Sequence, residues 1–132
     1  MNDPKGSMWR KWDLHVHTPL SLQQNYGGDT EEVWDKFIAE LRALPESIKV
    51  IGVNDYFFID GYKKLLQAKR AGQLPNIDLL LPVIELRLNQ FAGTAGDWSR
   101  INYHVIFSEE IAADTIEQQF IAALAANYHL DS

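Results

Sequence analysis

Three short apolar runs, set apart by two stretches of helical periodicity, limit what this chain can fold into more than any other feature. Trp12-Asp13-Leu14-His15-Val16-His17 alternates apolar and polar side chains, the period of a strand, and ends at Thr18-Pro19. Lys49-Val50-Ile51-Gly52-Val53-Asn54 is rich in β-branched residues, too short for a buried helix, and closes on Asp55. Leu79-Leu80-Leu81-Pro82-Val83-Ile84 runs into Glu85, and alternation continues through Leu86, Leu88 and Phe91. Between the first and second runs, Val33, Trp34, Phe37, Ile38, Leu41 and Leu44 recur at helical spacing, with Asp29 and Glu32 placed as a capping box and Pro45 as a stop. Between the second and third, Asp60 caps a helical pattern carrying Tyr62, Leu65, Leu66 and Ala68 that ends near Gly72 and Pro75. Strands alternating with helices predict an α/β fold, a largely parallel sheet with helices outside or a piece of a barrel.

Further on, Ala92 to Arg100 reads as a connecting loop, and Asn102-Tyr103-His104-Val105-Ile106-Phe107 as a strand. The last two strands are expected to pair as a hairpin over about 85–107. A final helix starts at Asp114, with Glu117 completing a capping box and Ile116, Phe120, Ile121 and Leu124 on one face. The length of 132 residues suits one domain. Residues 1–11 form a polar leader in which Gly6-Ser7-Met8 has the look of a cloning scar. The net charge of −6 argues against binding nucleic acid mainly by phosphate neutralisation, leaving room for a small basic or metal-centred site. Without cysteine, any metal must be held by His, Asp and Glu, and the composition fits a reducing cytoplasm. No run is long enough for a membrane span, so a soluble, cytoplasmic protein is expected.

Residues two apart on a strand share a face, so His15 and His17 project together, either as polar groups on a solvated face or as half of a metal site. Asp55 and Glu85 each stand at the carboxyl end of an apolar run, where ligand and catalytic groups gather in parallel α/β folds. His104 lies within an apolar strand, as a satisfied core residue or a further ligand. Such an N/O set suits Zn²⁺, Mn²⁺ or iron. The lysines and arginine at positions 63, 64, 69 and 70, with Trp9, Arg10 and Lys11, are either solvated or available to phosphates.

These residues resemble a known family. Asp13 to Ser21 is similar to the opening motif of polymerase and histidinol phosphatase (PHP) domains. Gly52-Val53-Asn54-Asp55-Tyr56 stands where that family commonly has Gly-hydrophobic-Thr-Asp-His, Pro82 to Leu86 resembles its glutamate motif, and His104 to Phe107 its next histidine strand. Within the family, Trp12 to Pro19 followed by Asp55 to Lys63 looks most like the amino-terminal PHP module of TrlF-like ATPases, some of which are associated with DNA maintenance or antiphage defence.

The resemblance implies a distorted seven-stranded (β/α) barrel that hydrolyses phosphate esters with divalent metals, of which residues 12–132 would be the amino-terminal portion. His15 and His17 would hold a first metal, Glu85 would bridge two, and His104 would bind the second. Asp55 would orient a ligand imidazole, and Tyr56, standing in place of a histidine, would pack or contact substrate. The family closes its site with an Asp-x-His pair near the end of the domain; none follows His104 in this chain, and His129 is the remaining histidine offered for that role. The implied substrate is nucleic acid or a nucleotide, and the implied partner an ATPase domain following in the full-length protein. The alternative is a catalytically degenerate PHP module with a structural or regulatory role; an amidohydrolase-type barrel, which also opens with His-x-His, ranks below both. Half a barrel leaves two sheet edges open, so an oligomer, inactive as this chain alone, is expected.

Overall fold

The computed structural model describes residues 9–22 and 25–128; His129 and the candidate cloning scar lie outside them. Its elements follow the predicted alternation: β1 (Lys11–Val16), α1 (Glu31–Arg42), β2 (Ile48–Asn54), α2 (Asp60–Arg70), β3 (Leu79–Thr94) and β4 (Asp97–Ile106). The chain then continues through α3 (Ala113–Thr115), a π-helical stretch (Ile116–Ile121) and α4 (Ala122–Asn127). The strands form one sheet in the order β1-β2-β3-β4, with β1, β2 and β3 mutually parallel and β4 antiparallel to β3. Each strand lies beside its predecessor with no reversal of order, the progression of a barrel wall rather than of a doubly wound sheet. The sheet is curled accordingly, as a partial barrel would be. Among the described residues β1 and β4 are its two edges.

The predicted apolar stripes form the core. Trp34, Phe37 and Leu41 of α1 and Tyr62 and Leu65 of α2 pack on Ile51 and Val53 of β2 and Leu80 and Ile84 of β3, and Ile116 closes one end. Each fully buried side chain of this size stabilises by about 1.5–3 kcal/mol. Because strand residues alternate between faces, the partners of these core positions point away from the helices, and that opposite face holds the polar site.

Three local expectations are corrected. Helix α1 is capped by Thr30, whose hydroxyl accepts from the Val33 N–H at 3.3 Å, because the Asp29 carboxylate is engaged by the Trp34 indole N–H at 2.6 Å. Asp60 is the first residue of α2 and not its cap; there the carboxylate favours the positive end of the helix dipole. The far end of α2 does close as predicted: Gly72, at φ +79°, donates to Lys69 and Gln73 donates to Ala68, a Schellman arrangement. The expected capping box of Asp114 and Glu117 also does not form, because Lys63 draws both carboxylates, each at 2.7 Å. That pairing holds the Lys63 ammonium well above its ordinary range and straps the C-terminal helix to α2.

The predicted loop over 92–100 is instead strand. β3 extends to Thr94, and Ala95-Gly96 makes a two-residue turn with Gly96 at φ +94°, after which Asp97 pairs back with Thr94. Gly93 and Gly96 have the composition of a loop, but the backbone around them pairs and Gly96 makes the hairpin turn. The basic cluster on α2 is largely structural as well: Lys64 pairs with Glu31 at 3.1 Å and lies over the Trp34 ring, and Lys69 bonds the Ile77 carbonyl.

Candidate metal centre

Strand β1 is not regular where it carries the histidines. Trp12 and Asp13 pair with Val50 and Ile51, but Val16 pairs with Val53, so β1 fits one extra residue against β2. Gly52 makes room for it: a Cβ there would lie 2.7 Å from the Leu14 Cα, closer than real contacts allow. The Asp13 carboxylate takes the His15 N–H at 3.2 Å within this irregular segment. With Val16 packed on the core, its neighbours His15 and His17 emerge on the helix-free face with their Nε2 atoms 3.1 Å apart. Ser21 Oγ lies 3.3 Å from Nδ1 of the His17 ring, and Tyr26 donates to the His17 backbone carbonyl at 3.1 Å. Burial, with Glu40 and Asp55 nearby, pushes the Tyr26 phenol up.

Glu85 on β3 lies directly opposite His104 on β4, and directly opposed residues share a face. Its carboxylate reaches His15 Nε2 at 3.3 Å through Oε2 and His104 Nε2 at 3.6 Å through Oε1. One ligand atom from each of His15, Glu85 and His104 falls within 4.8 Å of the others. Three strands therefore converge on one point. The Glu85 side chain is only 4% exposed, whereas those of His15 and His104 are 48% and 29% exposed, so the cluster is anchored in the sheet and open to solvent.

Two asparagines hold the carboxylate. Asn54, wholly buried at the end of β2, donates to Oε2 at 2.8 Å, and Asn102, two residues before His104, donates to Oε1 at 2.9 Å. Asn54 in turn accepts from the Tyr56 N–H at 3.3 Å, and Arg87 Nε donates to Asn102 at 3.3 Å. Among the described residues, the ion-pair partners of Glu85 are histidines; Arg87 reaches it only through Asn102. A buried carboxylate met by amides and imidazoles, without a permanent cation, is the arrangement of a metal ligand with its orienting neighbours.

The spacing tests that fit. Two ligand atoms each about 2.1 Å from a cation and roughly 90–110° apart are separated by about 3.0–3.4 Å. The His15–His17 and His15–Glu85 separations of 3.1 and 3.3 Å match, and the His104–Glu85 separation of 3.6 Å is slightly wide. His17 joins through His15 and is not a member of the compact three-residue group.

Asp55 departs from its expected role. Both its oxygens accept from buried Thr18, Oδ1 from the backbone N–H at 2.8 Å and Oδ2 from the hydroxyl at 2.6 Å, so the carboxylate pins the loop after β1 instead of orienting an imidazole. Burial pushes its carboxyl up, against the opposing pull of the Thr18 bonds and of His17. Gly61 lies against this pair, and a Cβ there would overlap both Asp55 Oδ2 and Thr18 Oγ1. Tyr56 sits at φ +61°, a left-handed backbone that costs an aromatic residue about 1–2 kcal/mol. Its carbonyl accepts from the Glu85 N–H at 2.8 Å, and its ring stacks on His17 with centroids 5.2 Å apart. Such strain kept beside a polar cluster is typical of functional sites.

His15, Glu85 and His104, each a candidate from the sequence, are brought together, and Asn54 and Asn102 join them without having been expected there. Both had a signal: each lies on the site face of its strand, Asn102 in phase with His104 and Asn54 at the carboxyl end of β2. Comparison with family models, curated proteins and solved structures gave no match to this chain. The site therefore rests on its own geometry. No helix among the described residues is long and apolar enough to cross a membrane.

Proposed function

We propose that this chain belongs to a metal-dependent phosphoesterase of the PHP type, with His15, His17, Glu85 and His104 as metal ligands. The observation that carries the reading is Glu85, buried in the sheet, held by two amides and facing imidazoles from β1 and β4. A divalent cation bound there supplies Lewis-acid polarisation of a phosphoryl oxygen and acidifies water. The chain's own residues do the rest. Asn54 and Asn102 fix the carboxylate, Ser21 and Tyr26 fix His17, and the exposed imidazole edges leave an anionic substrate a path to the site. Bound cations also answer the overall acidity, since they reverse the local field for a phosphate. In this reading the domain works beside an ATPase in the full-length protein.

One observation favours a second reading, a PHP module that binds metal without turnover. Tyr56 covers His17 by stacking, at the position where the family commonly carries a further histidine. Hydrolysis of bis(p-nitrophenyl) phosphate by the native protein that carries this chain separates the two. The enzyme reading predicts activity dependent on Mn²⁺ or Zn²⁺ and lost in Glu85→Gln and His15→Ala. Metal binding with no hydrolysis selects the module, and hydrolysis indifferent to these substitutions overturns both.

A further inference from the structure

The β3–β4 hairpin continues past the metal ligands as an arm, and its register fixes which side chains share the ligands' face. Beyond Glu85–His104, Arg87 opposes Asn102, Phe91 opposes Arg100 and Gly93 opposes Trp98. From Arg87 to Phe91, β3 advances four positions while β4 advances two, so the extra residues belong to β3 and β4 keeps its alternation. The face bearing His104 and Asn102 therefore also bears Arg100 and Trp98, with Phe91 across from Arg100. The guanidinium of Arg100 lies 5.7 Å from the Phe91 ring centroid, as residues on one side must. Phe91 and Trp98 are 56% and 62% exposed, Arg87 and Arg100 are exposed, and beyond Glu85 the register puts no carboxylate on this face. His104 and Trp98 are separated by about 20 Å along the strand.

Aromatic rings interleaved with guanidinium groups offer two complementary contacts. Arginine forks bind phosphate oxygens, and exposed rings stack on bases whose faces are free. In a duplex those faces are already stacked on one another. We propose that this face of the hairpin arm is a track for single-stranded nucleic acid, whose backbone it delivers to the metal ligands at its base. The track rests on the metal-centre reading and names the substrate class for it. Its charge is local, so it does not conflict with the net charge of −6.

Fluorescence anisotropy of labelled oligothymidylate, oligouridylate and a duplex, titrated with the chain at low salt in chelator, tests the track without the metal. Expected are saturable binding of the single strands, weaker binding of the duplex, and roughly ten-fold loss in each of Trp98→Ala and Phe91→Ala. Arg100→Gln should reduce the salt slope by about 0.7, the value for one phosphate on a single strand. The relative affinity of the two oligomers tells DNA from RNA. Equal affinity for duplex and single strand, or affinity untouched by the aromatic substitutions, overturns the track. Self-association of the chain abolished by Trp98→Ala also overturns it, by making the arm a protein interface. Calorimetric titration of the same proteins with Zn²⁺ keeps the two readings apart: strand binding without metal uptake sinks the metal centre alone, and metal uptake without strand binding sinks the track alone.

Discussion

Replacing Asn54 with alanine removes one of the two donors that hold the Glu85 carboxylate. The bond is 2.8 Å long and wholly buried, and hydrogen bonds to charged groups contribute about 1.5–3 kcal/mol. The substitution also strips the Tyr56 N–H of its acceptor and leaves a buried void, so a loss of roughly 3 kcal/mol is expected. For a chain of 132 residues that lowers the melting temperature by roughly 10 °C. Asn102 makes a bond of similar length at an exposed position, where water takes its place, and Asn102→Ala should cost below about 1 kcal/mol. Both substitutions free the carboxylate to turn, so both should weaken metal binding by roughly 10–100-fold. Thermal denaturation followed by circular dichroism and calorimetric metal titration read the two effects separately. Equal stability losses in the two variants, or Asn54→Ala within about 0.5 kcal/mol of the parent, would refute the view that a buried amide holds the ligand.

Gly61→Ala gains about 1 kcal/mol of helix propensity, but its methyl group overlaps the Asp55–Thr18 pair, and overpacking costs about 1–3 kcal/mol. Net destabilisation in urea denaturation is therefore expected, and a stabilised variant would contradict the close approach. Burial raises the folded-state pKa of Asp55 above its unfolded value near 3.9, so the neutral form is favoured on folding. Its contribution is then greatest below that value and falls as pH rises through the raised folded-state value. Asp55→Asn keeps the shape and removes the titration, so the stability of the parent relative to the variant should decline with pH over that window; a rise would reverse the assignment. Lys63→Met should speed amide hydrogen exchange over 113–127 while changing overall stability by less than about 1 kcal/mol, because these ion pairs are largely exposed. Unchanged exchange there would show that the strap does not hold the helix.

The alternation of strands and helices was legible because apolar spacing reports which faces are buried, and the candidate cluster was legible because each of its members stands in phase on its strand. His15, Glu85 and His104 needed the order of the strands to be brought within reach of one another, and the parallel order followed from the pattern. Side-chain bonding between distant segments was not legible. Asp114 and Glu117 have the spacing of a capping box, yet the nearby Lys63 ammonium offers both carboxylates a stronger partner than a backbone N–H. Asp55 has the position of an imidazole partner, yet the fold brings the N–H and hydroxyl of Thr18 to it from 37 residues away. The hairpin itself was legible, but its continuation through 92–100 was hidden because Gly93 and Gly96 carry the composition of a loop whether or not the flanking backbone pairs.

The sheet brings His15, Glu85 and His104 together as a group that could hold a cation. Isothermal titration calorimetry of the chain with Zn²⁺ and with Mn²⁺, beside Glu85→Gln and His104→Ala, tests it most directly. Saturable binding of at least one equivalent is expected, abolished or greatly weakened in Glu85→Gln and reduced in His104→Ala. Absence of saturable binding, or binding that neither substitution alters, would contradict it.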